Sequence, residues 1–486
     1  EMCIRDRSVR NVFFSLGKHR NTGRSGNCPS VRGILWQQAD KKKTSVNMLE
    51  GSIFKSLVIF MIPILISNIF QQFYNTMDTA IVGNTLGMTS LSAIGSCAAV
   101  YDLLVGFALG IGNGLSIVTA RSYGSGDEEL LKKSVAASFV IGIISSIVIT
   151  IIASIGIKPL LIAINVSPDL LNEAYSYIIV IVQFLVVMFA YNLCAGLLRA
   201  IGNSLMPLVF LIISSVLNIG LDLFFITQLH MGVRGAAVAT VIAQGVSVVF
   251  CLIYIFKNVP LLVPEKRHFK FDAALYKELL GQGYSMAVMS AIVNAGSVIL
   301  QSGINGLGSK QIIAGHTAAR KLYMFFNMPF TAMAQAASTF VSQNKGAENV
   351  SRIRKGMKQM YIYDVVVAAI ATVILLLSAP TLVTWISGTT DKTVLYNGSL
   401  YLRIVAPNYA VLGILMQTRF ALQGIGQKML PLVSSVIELV GKIIFVFALI
   451  PVFKYMAVIF CEPVIWVVMT IYLLIVFWRD PFIKEA

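Results

Sequence analysis

From Ser56 onward, apolar residues come in long continuous runs, not in the narrow stripes of a soluble amphipathic helix. Twelve runs stand out, at 56–84, 89–119, 134–157, 175–198, 206–228, 235–256, 281–306, 312–342, 359–385, 399–421, 430–451 and 455–477. Crossing the hydrocarbon of a bilayer takes about 20 residues at ~1.5 Å each. Every run reaches that length, and the surplus leaves room for tilt, kinks and interfacial turns. Inside lipid a helix satisfies its own backbone groups, so the pattern predicts an all-α polytopic membrane protein with 12 transmembrane helices. Composition sharpens this reading. Hydrophobic residues make up 57% of the chain and charged residues 12%, with a mean hydropathy of +0.79, against about 25% charged in soluble domains.

The pattern also repeats. "RAIGNSLMPLV" from Arg199 recurs as "QGIGQKMLPLV" from Gln423, an offset of 224, and "SIVTARSYGSGDEE" from Ser116 faces "STFVSQNKGAENVS" from Ser338, an offset of 222. That interval holds six runs, an even number, so both copies should cross the membrane in the same sense. Such copies are related by an axis along the membrane normal. We therefore expect two six-helix lobes about a pseudo-two-fold axis, an N-lobe at 48–256 and a C-lobe at 280–486, joined by a cytoplasmic linker at 257–279. This architecture puts a cavity between the lobes, exposed to either side by rocking. Gly202 with Pro207, and Gly426 with Pro431, mark matching turns.

Charge orients the chain. The loops on one side hold Arg121, Lys132, Lys133, Arg199, the basic linker, Lys345, Arg352, Arg354, Lys355, Lys358, Lys428, Arg479 and Lys484. The opposite loops offer Lys158, Arg234, Lys310, Lys392 and Lys454. Positive residues favour the cytoplasmic side, which places both termini inside. The formal net charge of +16 is then topology, and no nucleic-acid partner is needed to explain it. Residues 1–47 fall outside the pattern: polar, aperiodic, with ten Lys or Arg against three acids, or +7. The opening "EMCIRDR" reads as a translated adaptor, so 1–47 is set aside as a non-native or disordered basic extension and a natural start is expected at Met48. The rival reading is a basic arm touching anionic lipid.

Chemistry-bearing motifs are scarce. Cys97, Cys194, Cys251 and Cys461 are scattered singly, and no metal spacing, nucleophile–base pair or phosphate loop is present. An enzyme or an ATP-driven pump is not supported, and no cofactor is expected. What remains are acids inside spans: Asp78, Asp102, Asp222, Glu438 and Glu462, with Asp364 near an inner end. A charge at a helix centre in the membrane costs at least about 2.5–3.5 kcal/mol, so each needs a partner or a purpose. Asn218 lies one helical turn before Asp222. Asp222 stands nine residues before the turn at Met231, Thr240 nine after it, and Asp78 nine before Gly87. At ~1.5 Å per residue these groups share a depth of roughly 13 Å below the outer surface. Two carboxylates, an amide and a hydroxyl form an oxygen-rich cluster that suits Na⁺, or two carboxylates that share a proton. The repeat puts Leu300, Lys442 and Val446 at the places of Asp78, Asn218 and Asp222, so the second copy lacks the set. Pro63 is expected to kink the first helix. Gln71, Gln72, Asn75 and Glu462 are candidates for a substrate path, Glu438 and Lys442 read as an i, i+4 ion pair, and Asp102 has no partner legible in sequence.

The segments "QQFYNTMDTAIVG", "GNGLSIVTARSYGSGD", "LRAIGNSLMPL", "NIGLDLFFI" and "GVRGAAVATVIAQG" resemble the bacterial multidrug and toxic compound extrusion (MATE) transporters over about residues 50–478. The resemblance implies a secondary active antiporter that exports small organic, often cationic and amphipathic, compounds in exchange for H⁺ or Na⁺. Its partners would be those substrates and the lipid bilayer, and it would act as a monomer. It further implies a cation site at Asp78, Asn218, Asp222 and Thr240, and a first helix that bends at Pro63 when the carboxylate is protonated. Some relatives use acids in the seventh and tenth helices of the C-lobe; this chain has none there. The alternative is a lipid-linked oligosaccharide or peptidoglycan-precursor flippase of the same superfamily, which would carry basic residues in the cavity to meet a pyrophosphate.

Overall fold

A computed structural model describes residues 45–484 apart from Asn165; the extension expected at 1–47 lies almost wholly outside the described residues. Helices account for the described spans, and no strand occurs among them. In chain order they are α1 (Ile53–Leu86), α2 (Met88–Gly124), α3 (Glu128–Ala163), α4 (Pro168–Gln183), α5 (Leu185–Ala200), α6 (Leu205–Leu223), α7 (Val233–Asn258), α8 (Ala273–Asn305), α9 (Lys310–Gly346) and α10 (Val350–Ser387). They continue as α11 (Lys392–Val405), α12 (Tyr409–Gly424), α13 (Met429–Ile444), α14 (Ile450–Phe453), α15 (Tyr455–Arg479) and α16 (Pro481–Lys484).

Ten spans are long and apolar enough to cross a membrane, and α4 with α5, bent by 50° at Phe184, makes an eleventh. The run expected at 312–342 is present as the 37-residue α9. Its His316, Arg320, Lys321 and Gln335 hold it below the apolarity of the others, which is why the apolar count stops short of twelve.

The repeat is visible in backbone detail. Gly202 and Gly426 turn the chain with φ of 89° and 102°, in the left-handed region that glycine adopts without a Cβ penalty. Asp127 caps α3 by accepting from Leu130 N–H at 3.0 Å, and Asn349, 222 residues on, caps α10 by accepting from Arg352 N–H at 3.1 Å. The fourth span breaks at Phe184, and the tenth breaks at the matching place, in the 3₁₀ turn Ala406–Asn408. A π-helical turn follows α6 at Phe224–Gln228 and recurs after α13 at Phe445–Leu449.

Two hydrophobic cores result. One is built from residues between Ile81 and Ala287, the other from Met48 to Ile64 together with residues between Leu300 and Ile483. Helix α1 is therefore shared: Ile53, Leu57, Phe60, Met61 and Ile64 pack into the second core, whereas Ile81 and Val82 pack into the first. Helix α8 does the converse, with Leu275, Leu279 and Ala287 in the first core and Leu300 and Ile304 in the second. Pro63 lies within the part of α1 that packs into the second core, and the Ser67 hydroxyl donates to its carbonyl at 2.8 Å.

On the side that carries the termini the two cores close on each other. Glycines at every fourth position of α2 let it lie against α8 backbone to backbone. A Cβ on Gly110 would stand 2.5 Å from Ala287 Cα, and one on Gly114 2.5 Å from Gly283 Cα. This is the small-residue contact that brings membrane helices together. Farther along, Gly124 abuts the backbone of Gln343 while Gly346 abuts that of Arg121. Residues 121 and 343, and 124 and 346, are each 222 apart, so this crossing lies on the pseudo-two-fold axis. Toward the opposite side, Gln71, Asn75, Asp102 and Leu103 are exposed.

Candidate functional site

Helices α1, α6 and α7 bring Asp78, Asn218, Asp222 and Thr240 together within the first core. Asp222 and Asn218 lie one turn apart on α6 and are both buried. With its amide nitrogen turned to Asp222, Asn218 donates to Oδ2 at 3.2 Å, and its amide oxygen accepts from the Thr240 backbone N–H at 3.3 Å. The Thr240 hydroxyl donates to the Ala236 carbonyl at 3.1 Å. Asp78, from α1, faces Asp222 carboxyl to carboxyl. Oδ1 of each acid is buried with no donor in reach, and no Lys, Arg or His forms an ion pair with either acid among the described residues. An oxygen-rich pocket of this kind fits a proton bridging the two acids, or a small hard cation.

Beside this cluster lies a cavity of about 170 Å³, lined by Gln71, Tyr74, Asn75, Tyr101, Asp102 and Tyr191 together with Asn218, Thr240 and Gln244. Gln71 and Asn75 thus border it, whereas Gln72 lines none of it. Asp102 lies on its wall, and its backbone carbonyl accepts from the Asn294 amide of α8 at 3.2 Å. Sequence reasoning missed the tyrosines. Their signal was faint: "FYNTMD" and "VYDLL" place an aromatic near each acid, but an isolated tyrosine in an apolar run is ordinary.

The acids of the second half are in a different state. Glu462, buried on α15, pairs with Arg320 of α9 at 2.6 Å and accepts from the Tyr401 hydroxyl at 3.1 Å. These partners leave its side chain 8% exposed. The Arg320 guanidinium lies 4.6 Å over the Tyr323 ring, which stacks on Trp466. The expected Glu438–Lys442 pair is present at 2.9 Å, joined by Arg419 at 3.5 Å. Asp364 is fully buried and accepts from the Gln417 amide at 2.7 Å. In sequence Arg320 stands beside Lys321 in a largely apolar run, with nothing near it to mark Glu462 as its partner.

A family model described as MatE matches the chain twice, over residues 63–224 and 285–448, which reproduces the repeat interval of 222–224. Among curated proteins, the chain is 24% identical to the "Probable multidrug resistance protein YoeA" of Bacillus subtilis, over 80% of this chain and 85% of that one. It is also 24% identical to the multidrug export protein MepA of Staphylococcus haemolyticus, over 78% of this chain and 83% of that one. A solved structure described as the outward-facing conformation of a multidrug resistance MATE family transporter of the MOP superfamily superposes with a TM-score of 0.83 at 24% identity. That match covers 92% of this chain and all of the other. These relatives do not favour the flippase reading.

Proposed function

The chain belongs to the MatE family of multidrug efflux transporters, and from that premise we propose that it exports small organic cations in exchange for H⁺ or Na⁺ through Asp78, Asn218, Asp222 and Thr240. The observation that carries this reading is the pair of facing carboxylates, each with one buried oxygen that no protein donor satisfies. Two such acids cannot both stay charged in a low-dielectric site without a counter-ion. A proton or Na⁺ arriving from outside relieves them, and an organic cation can relieve them from the other side of the cycle. The two therefore oppose each other.

With both termini cytoplasmic, the closed side described above faces the cell interior and the exposed Gln71, Asn75 and Asp102 lie toward the outside. The protein then works as a monomer in the bacterial inner membrane. Ion binding and substrate binding favour different arrangements of α1, which packs into both cores and carries Pro63 in its N-terminal half. A differential affinity of about 1.4 kcal/mol shifts such a two-state population tenfold.

The test is efflux of a fluorescent organic cation from proteoliposomes, driven separately by a pH gradient and by a Na⁺ gradient. One gradient should drive export in the wild type, and Asp222→Asn should abolish it at unchanged expression and insertion. Pro63→Ala should uncouple transport while leaving substrate binding intact. Wild-type export from Asp222→Asn would overturn the assignment of the site.

A further inference from the structure

On the pseudo-two-fold axis, toward the closed termini side, the two halves border a small, partly open cavity that the transport reading does not use. Its volume is about 30 Å³, room for one ion of atomic size or two waters. The wall is built in matched pairs. Asn113 and Ser116 of α2 stand opposite Gln335 and Ser338 of α9, each pair 222 residues apart, and Ile117 is matched by Thr339. One member breaks the symmetry: Arg199 at the end of α5, whose counterpart at the repeat interval is Gln423.

The electrostatics of this cavity are one-sided. The Arg199 guanidinium makes no hydrogen bond and no ion pair with any described residue, and no carboxylate lines the space. The side chains of Asn113, Gln335, Ser338 and Thr339 likewise have no protein partner among the described residues, while the Ser116 hydroxyl donates to the Asn113 carbonyl at 2.7 Å. A guanidinium carries five donors and no acceptor, and amides and hydroxyls add more. A positive charge held between two packed helix bundles needs a counter-charge. Donor-rich, acid-free and atom-sized, the cavity has the chemistry of a site for a small monovalent inorganic anion.

We propose that a halide-sized anion binds here, between the halves, and that it holds the termini side shut. The reason is geometric. The free donors come from Asn113 of α2 and Arg199 of α5 on one side and from Gln335, Ser338 and Thr339 of α9 on the other, and they converge only while Gly124 lies on Gln343 and Gly346 on Arg121. An anion that binds the closed arrangement and not the open one stabilises closure by mass action. At ten times its dissociation constant it shifts the closed-to-open ratio about elevenfold. The site is separate from the acidic cluster, so this inference does not depend on which cation drives transport.

The experiment compares the purified protein in potassium chloride, potassium bromide and potassium gluconate of equal ionic strength, gluconate being much larger than a halide. Sodium is left out so that the acidic cluster does not respond. The readouts are the thermal unfolding midpoint and hydrogen exchange of the segments 113–124 and 335–346. We expect both halides to raise the midpoint and slow exchange in the wild type, and Arg199→Gln to abolish the response. Ser338→Ala and Thr339→Val, milder changes that keep the fold, should raise the half-saturating halide concentration several-fold. The same response is expected in Asp222→Asn, where transport is lost, which separates failure of this inference from failure of the transport reading. Identical behaviour in chloride and gluconate, or an undiminished halide response in Arg199→Gln, overturns the proposal and leaves the cavity to water.

Discussion

The two halves share a backbone plan and differ in how they treat buried charge. In the first half Asp78 and Asp222 face each other without a cation, each with an unsatisfied oxygen. In the second half Glu462 is paired with Arg320, and Glu438 with Lys442 and Arg419. Lys442 occupies the place in the repeat that Asn218 holds in the first half, so an ammonium tethered to the chain stands where the first half presents an amide beside its acids. Breaking a buried ion pair is costly because it strands a charge, so Glu462 and Glu438 are electrically closed; Asp364, with the Gln417 amide on one oxygen and no donor among the described residues on the other, is the exception. An uncompensated acid pair is costly in a different way, because the expense disappears whenever an ion arrives. One half thus sets two acids face to face without a base, and the other gives bases to Glu462 and Glu438 and an amide to Asp364.

The largest expected effect breaks this contrast on the side of the facing acids. Asp222→Asn should reduce gradient-driven export to background in proteoliposomes, whereas Glu438→Gln, an isosteric change in the paired half, should leave the identity of the driving ion unchanged. If Glu438→Gln instead switches or abolishes ion dependence, the second half is not a passive partner.

Stability tests the paired acids. Arg320→Met alone should destabilise the protein by about 3–5 kcal/mol, because it leaves Glu462 buried and unpaired. Adding Glu462→Leu should recover most of that loss, as matched apolar replacements of buried pairs often do. Chemical denaturation in detergent would measure both. A smaller effect is expected at the seam: Gly110→Ala places a Cβ against Ala287 and should cost roughly 1–3 kcal/mol by overpacking. Ala at the exposed Gly95, where a Cβ meets nothing within 4 Å, should cost nothing of the kind.

The smallest effect sharpens the comparison by testing what the halves have in common. Asp127→Ala and Asn349→Ala remove equivalent helix caps and should each cost about 1 kcal/mol. Equal losses in thermal unfolding would show that the scaffold is symmetric even though the charges are not.

Most of the architecture was legible before any coordinates. Span length, the 222-residue repeat, the paired glycine turns and the Glu438–Lys442 pair follow from local rules, because in hydrocarbon a helix has to satisfy its own backbone and a turn has to suit its residues. The shared depth of Asp78, Asn218, Asp222 and Thr240 was legible too, since a rise of ~1.5 Å per residue converts sequence distance into depth. Depth alone, however, fixes neither rotation nor neighbour. That Asp78 meets Asp222, that Gln71 lines the cavity while Gln72 does not, and that Glu462 meets Arg320 and Tyr401 all depend on how helices turn about their own axes. So does the sharing of α1 and α8 between two cores. Hydrophobic runs this continuous have almost no stripe to set that rotation, so it is decided by close contacts such as Gly110 on Ala287 and Gly114 on Gly283. The sequence by itself determined which segments cross the membrane, how often they repeat and where along the normal the acids lie. Only the tertiary structure decided which of those acids are left without a partner, because that depends on what each helix turns toward its neighbours.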